Sequence, residues 1–346
     1  MSPGRSGCYV VKIISKSKNE SGATMLPKWW VVKISKGNCQ ILEDEISNYN
    51  ELIKTPLPRE AFPKLLHSKP IVYSDLSAIV LEFENEAQTF KDYLNSEEIT
   101  KAQTNIVTKQ LAEYLTKLYG DPIKKLSQVW KDYYSFKGKV IVYIESFFKL
   151  NKNVLASILD NQMLNRVSQF ISSSGKSEEK IFNYRKDIDT RVVHGDLNSR
   201  NVLVRSDGKP VFIDFALRKQ SPVTIDIAKL ERDLIFRVCD ADTKSEFDWN
   251  SIVKWREFDK LYNTSEVLNL KESDINSLQS YEKIISTILV LRNHLIGMSS
   301  GTDDKEYMLA LLHYSILVLG NSEISLQKKV YCIEYIYNII CKFDQS

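Results

Sequence analysis

Asp196, Asn201 and Asp214 are polar residues of the types that phosphoryl transfer uses, set at short offsets from one another. Moving a terminal phosphate requires an acceptor hydroxyl held in line and cations that neutralise charge between the phosphates, so carboxylates and an amide must converge. Asp196 would face the hydroxyl, while Asn201 and Asp214 would hold the metal. The three lie in His194-Gly195-Asp196-Leu197-Asn198-Ser199-Arg200-Asn201-Val202-Leu203-Val204, then Asp207-Gly208, then Val211-Phe212-Ile213-Asp214-Phe215. The alternation of Val202, Val204, Val211 and Ile213 about Asp207-Gly208 predicts a β-hairpin that returns Asp214 to the side of Asn201. An H-G-D triplet or a D-G hairpin is common alone, but here they occur jointly. His194 is read as a packing and hydrogen-bonding residue of the loop, not as a general base.

The step from Asp196 to Asn201 has the H-x-D-x-x-x-x-N spacing of kinase catalytic loops. The stretch 192–230 resembles the aminoglycoside phosphotransferase and choline-kinase-like branch of the protein-kinase-like superfamily, and the rest of the chain resembles it more weakly. The resemblance implies Asp196 as catalytic base and Asn201 and Asp214 as Mg²⁺ ligands. It also implies that Asp226, in Thr224-Ile225-Asp226-Ile227-Ala228-Lys229, is a buried brace of the catalytic loop. ATP is the implied donor, with GTP left open. Two departures turn the chain away from protein substrates. Asn198 stands two residues after Asp196, where protein kinases carry lysine next to the transferred phosphate. Beyond Asp214-Phe215-Ala216 a helical pattern starts almost at once around Asp226, which leaves no room for a peptide-docking activation segment. A small-molecule hydroxyl is therefore the expected acceptor.

Such a site needs a nucleotide-gripping lobe. Trp29-Trp30-Val31-Val32-Lys33-Ile34 is an apolar, β-branched strand with one lysine, suited to aim an ammonium at the α- and β-phosphates. Lys12, in Val10-Val11-Lys12-Ile13, is a rival, but it follows Gly4-Arg5-Ser6-Gly7 too closely. Downstream, apolar residues at 42, 46, 49, 52 and 53 have a helical period. The resemblance implies a lysine–glutamate pair there. Glu45 is the preferred partner of Lys33, with Glu43, Asp44 and Glu51 as alternatives. Ser6 and Gly7 belong to the loop whose backbone N–H groups would cradle phosphates. Ala78 to Phe83 reads as the last strand of the lobe, and Glu82, Phe83 and Glu84 open the hinge, running to Asn85, that would meet the adenine. Met1 and Ser2 leave no full strand before the loop, so further domains of a longer parent protein are expected.

The expected fold is α+β and bilobal, of the protein-kinase-like kind. Residues 1–84 form a small antiparallel sheet with one helix, and residues 85–346 form a mainly helical lobe with the acceptor pocket. Helical periods occur at Ile106, Leu111, Leu115 and Leu118, between Trp130 and Phe170, and over Tyr281 to Leu295, Tyr307 to Leu319 and Leu326 to Cys341. A regulatory, nucleotide-binding module of a larger signalling or defence protein is the alternative function.

Several classes are excluded. With 47 Lys and Arg against 44 Asp and Glu, the net charge of +3 supplies no case for nucleic acid, and the Lys- and Tyr-rich stretch Lys124 to Lys139 reads as a solvated helix face. Ser174-Gly175-Lys176-Ser177 fails as a P-loop, because the required first glycine falls at Phe170. The four histidines and five cysteines form no H-E-x-x-H or C-x-x-C pattern, so no zinc site is indicated. An odd number of cysteines without framework spacing suits free thiols and a cytoplasmic location. No signal peptide is visible, and no stretch approaches the roughly 20 apolar residues of a membrane span.

Overall fold

β-Branched and aromatic side chains dominate Tyr9–Ser15 (β1) and Lys28–Lys36 (β2), which pair antiparallel with Val10 opposite Lys33. The computed structural model describes residues 8–15, 28–37, 39–82, 86–134, 139–172, 180–239, 255–261, 281–298 and 303–345. Cys39–Leu52 (α1) follows β2. Its 3.6-residue period buries Leu42, Ile46, Tyr49 and Leu52 against the sheet and the core beneath it, and Glu45 goes in with them. Ile71–Tyr73 (β3) and Leu76–Glu82 (β4) complete a four-stranded sheet in the order β1-β2-β4-β3. Lys33 thus lies on an inner strand, opposite Ile79 of β4.

Gln88–Thr89 (β5) leads into Phe90–Asn95 (α2), capped by the Thr89 hydroxyl, which accepts from Asp92 N–H at 3.1 Å. Lys101–Tyr119 (α3) starts at a Thr100/Gln103 capping box and ends at Gly120. Ile123–Gln128 then forms β6, which corrects the helix-face reading of Lys124 to Lys139. Pro122 bars helical continuation from α3, and the segment pairs along its length with a strand more than fifty residues away, which only tertiary contact decides. Lys139–Ile158 (α4), Asn161–Ser172 (α5) and Lys180–Asn183 (α6) follow, then Arg185–Val193 (β7), the partner of β6.

Val202–Val204 (β8) and Pro210–Phe212 (β9) form the expected hairpin, with Val202 opposite Phe212 and Gly208 at φ +80° in the turn. β5 pairs with β8, so the chain leaving the first sheet is bonded directly to that hairpin. Lys219–Pro222 (β10) pairs with β7 and enters Thr224–Asp233 (α7). Glu282–Met298 (α8), Asp304–Leu319 (α9) and Leu326–Gln345 (α10) complete the described helices. α9 buries Tyr307, Leu309, Leu311, Leu312, Ile316 and Leu319, apolar on nearly every side, and is the central helix of the large core. Among the described residues no helix is long and apolar enough to cross a membrane, and Cys8, Cys239, Cys332 and Cys341 form no disulfide.

Candidate active site

The loop between β7 and β8 carries the predicted chemistry, and α7 holds it in place. Asp226, fully buried in the first turn of α7, accepts the backbone N–H of His194 at 2.7 Å and of Gly195 at 2.9 Å, one on each carboxylate oxygen. Asp233 accepts both the N–H of Ser199, at 2.8 Å, and its hydroxyl. Asp226, Lys229 and Asp233 are spaced i, i+3 and i+7, so they share one face of α7, and that whole face is turned to the loop. Gly195 is required between them. Its φ is +79°, and a Cβ there would meet the Leu217 carbonyl oxygen at 2.0 Å.

His194 is buried and packs on Phe215, with ring centres 4.7 Å apart. Its Nδ1 accepts from Asp196 N–H at 3.3 Å while Nε2 donates to the Ile213 carbonyl at 3.0 Å, which puts the ring proton on Nε2. Burial holds its pKa below the usual value, so the ring is neutral and structural. Asn201 Nδ2 donates to Asp196 Oδ2 at 3.0 Å and to the Asp196 carbonyl at 2.9 Å. Lys229 Nζ is bonded to Asp196 Oδ1. Asn198 faces the loop backbone instead: its Nδ2 donates to the Asp196 carbonyl at 3.0 Å and its Oδ1 accepts from Arg200 N–H at 3.0 Å.

The hairpin brings Asp214 back beside this loop, through Ile213 N–H on the Asn201 carbonyl at 3.0 Å. Asp214 itself is left-handed, at φ 65° and ψ 66°, a conformation that costs a non-glycine residue roughly 1 kcal/mol. Contacts just beyond it hold the turn: Asn48 Nδ2 donates to the Phe215 carbonyl at 2.8 Å, and Tyr49 meets the Phe215 ring edge-on at 5.3 Å. Across the cleft, Lys33 Nζ reaches Glu45 Oε1 at 2.6 Å and Asp214 Oδ1 at 3.0 Å. Burial alone would lower the Lys33 pKa, but the two carboxylates outweigh it and hold the ammonium above its ordinary value.

The structure therefore gathers Lys33, Glu45 and Asp214 into one ion-paired group, and Asp196, Asn201 and Lys229 into another. Lys12 lies elsewhere, 4.1 Å over the Trp29 ring. Glu82 ends β4 and donates its N–H to the Lys64 carbonyl at 2.8 Å. Ser6, Gly7, Phe83 and Glu84 lie outside the described residues. Sequence reasoning passed over Lys229, Asp233 and Asn48. The first two were signalled by their i+3 and i+7 spacing from Asp226, whereas nothing local marks Asn48.

Asn201 and Asp214 fit a hard divalent cation. The side-chain hydrogen bonds of Asn201 all use Nδ2, which leaves Oδ1 for a metal, and Asp214 adds a carboxylate whose side chain is 41% exposed. No group of three or more His, Cys, Asp or Glu side chains that could hold a metal ion exists among the described residues. Phosphates and water would complete the shell, as Mg²⁺ prefers. A cavity of about 490 Å³ opens beside this loop, bordered by Asp196, Asn201, Lys229, Arg237, Tyr314 and Glu323.

An antiparallel sheet with its lysine-bearing inner strand and a helix-borne glutamate, set over a helical body with the β8–β9 hairpin, is a bilobal protein-kinase-like fold. The model of the ecdysteroid kinase-like family matches residues 8–230 of the 346, and the chain belongs to that family. The model of ternary complex associated domain 9 matches residues 174–319. No curated protein matches in sequence. Similar solved structures include the spectinomycin phosphotransferase APH(9)-Ia in complex with ADP and spectinomycin, 13% identical over 97% of this chain and 93% of that one, at a TM-score of 0.40. An ethanolamine kinase of Plasmodium vivax is 14% identical over 98% and 82%, at 0.35. The choline kinase LicA of Streptococcus pneumoniae is 11% identical over 96% and 92%, at 0.35.

Proposed function

We propose that this chain transfers the γ-phosphate of ATP to a hydroxyl of a small molecule. The observation that carries the reading is the Lys33 ammonium held between Glu45 and Asp214, two residues far apart in sequence that meet only in this fold. A half-buried cation in that position is ready for the phosphates of a nucleotide bound between sheet and loop. Asp196 faces the acceptor cavity. As the hydroxyl oxygen bonds to the γ-phosphorus, its proton passes to the Asp196 carboxylate. The bond from phosphorus to the β-phosphate oxygen breaks, and its electron pair leaves on the diphosphate. Asn201 and Asp214 would hold Mg²⁺, which when bound neutralises charge between the phosphates.

Residues 1–84 then serve as the nucleotide lobe, with Ser6, Gly7, Glu82, Phe83 and Glu84 around the nucleotide, and 85–346 as the acceptor lobe. GTP fits the same reading as donor. The step from Asp214 to α7 at Thr224 takes only a short turn and β10, which favours a small acceptor in the cavity over a peptide laid along an activation segment. The reading also takes the chain as a cytoplasmic enzyme with no nucleic-acid partner.

Thermal-shift titration with ATP, with and without Mg²⁺, beside a phosphate-release assay, tests it. Nucleotide-dependent stabilisation and Mg²⁺-dependent release, the latter lost in Asp214→Asn at unchanged stability, are expected. Equal release by both proteins refutes it. The match to ternary complex associated domain 9 favours a second reading, a nucleotide-binding regulatory module, for which the same assays give stabilisation without release.

A further inference from the structure

We propose that Lys229 is a catalytic residue, the cation that attends the phosphoryl group during its passage to the acceptor held by Asp196. The assignment rests on the phosphotransfer reading above and extends it to a residue outside the loop motif. Lys229 sits on the face of α7 that grips the loop, between the two carboxylates that fix it. Its ammonium is bonded to Asp196 Oδ1, lies 3.4 Å from the Gly195 carbonyl and stands 5.7 Å from the centre of the Tyr314 ring. An ammonium has three N–H donors, and these contacts use two. Lys229 and Asp196 border the same cavity, so the third donor lies where the transferred group must pass.

Among the described residues, the other cations that border the cavity are paired with carboxylates away from Asp196: Arg237 with Asp233 at 3.5 Å and Glu323 at 3.8 Å, Arg200 with Glu323 at 3.9 Å, and Arg232 with Glu231 at 3.0 Å. Asn198 is tied to the loop backbone, and the Lys33 ammonium is engaged by Glu45 and Asp214 across the cleft. The arrangement also leaves Asp196 competent. Lys229 takes one lone pair of Oδ1 and Asn201 takes one of Oδ2, so each oxygen keeps another for the acceptor hydroxyl. Negative charge on the phosphoryl oxygens is redistributed as the new O–P bond forms, and an ammonium already fixed beside the base meets it without reorganising. Such a contact is stronger in the transition state than in the ground state. A residue that merely clamps the loop, as Asp226 does, would give no such difference.

The test compares Lys229→Met and Lys229→Arg with the unaltered full chain, using Mg²⁺–ATP with water as acceptor. On the scale of other transition-state donors, Lys229→Met is expected to lower kcat roughly 100-fold or more, with KM for ATP within about threefold and the melting temperature retained. Lys229→Arg keeps the charge and should recover most of that loss. Calorimetry supplies a readout besides turnover. Binding of Mg²⁺–ADP should be unchanged, while the added affinity for Mg²⁺–ADP–aluminium fluoride should fall at least tenfold in Lys229→Met. Unchanged turnover and analogue binding in Lys229→Met overturn the assignment alone. Loss of ADP affinity and melting temperature in step with kcat shows a clamp and also overturns it. A wild-type chain that neither releases phosphate nor binds the analogue overturns the phosphotransfer reading, and the assignment with it.

Discussion

Replacing Asp226 by alanine should detach the loop between β7 and β8 from α7. Asp226 is 0% exposed and each of its oxygens accepts one buried backbone N–H, from His194 and Gly195. A buried donor left without a partner costs roughly 1–3 kcal/mol, so losing the carboxylate should cost about 4 kcal/mol in all. Asp226→Asn keeps the shape and one accepting oxygen but turns an amide N–H₂ toward the other donor, which should cost about half as much. Urea unfolding monitored by circular dichroism gives both numbers, provided the slope with denaturant is the same for all three proteins. Turnover should fall with the loop's disorder even in Asp226→Asn, where most molecules remain folded. An alanine variant within 1 kcal/mol of the wild type, or an asparagine variant with unaltered turnover, would refute the view that α7 sets the loop through this carboxylate.

Gly195→Ala forces a left-handed alanine whose Cβ meets the Leu217 carbonyl oxygen, and should cost on the order of 3 kcal/mol in the same unfolding assay; a loss under 1 kcal/mol would contradict the geometry. Burial raises the pKa of Glu306 from 4.5 to about 7 despite Lys186 at 3.4 Å. The raised value means that its stabilising contribution is complete below pH 4.5 and is lost as pH rises through about 7, a change of about 3 kcal/mol. Melting temperatures should therefore move in favour of Glu306→Gln between pH 5 and pH 8.5, and parallel curves would count against this. Glu45→Gln leaves the Lys33 ammonium with Asp214 as its remaining carboxylate partner, and should cost about 2 kcal/mol and weaken ATP binding by calorimetry; wild-type values for both would remove the pair from the site.

What was legible in the sequence was what local physics decides. The β8–β9 hairpin follows from alternation about Asp207-Gly208, and α1, α8 and α10 follow from their apolar period. Lys33 was separable from Lys12 because the two lie on successive strands of one hairpin. β6 was missed because Ile123 to Leu126 is exposed and carries no alternation, and its strand form depends on pairing with β7. Lys229 and Asp233 were missed for a related reason. Their types are ordinary on a helix surface, and only the packing of α7 beneath the loop turns that surface into part of the site.

Label transfer from γ-labelled ATP to a panel of small hydroxyl compounds, in Mg²⁺ and with Asp196→Asn as the control, is the most direct measurement. Label should pass to at least one compound with the wild-type chain and fall by at least 100-fold with Asp196→Asn, while ATP binding is retained. Equal transfer by the two proteins, or ATP binding without transfer to any compound or to water, would contradict phosphoryl transfer through Asp196.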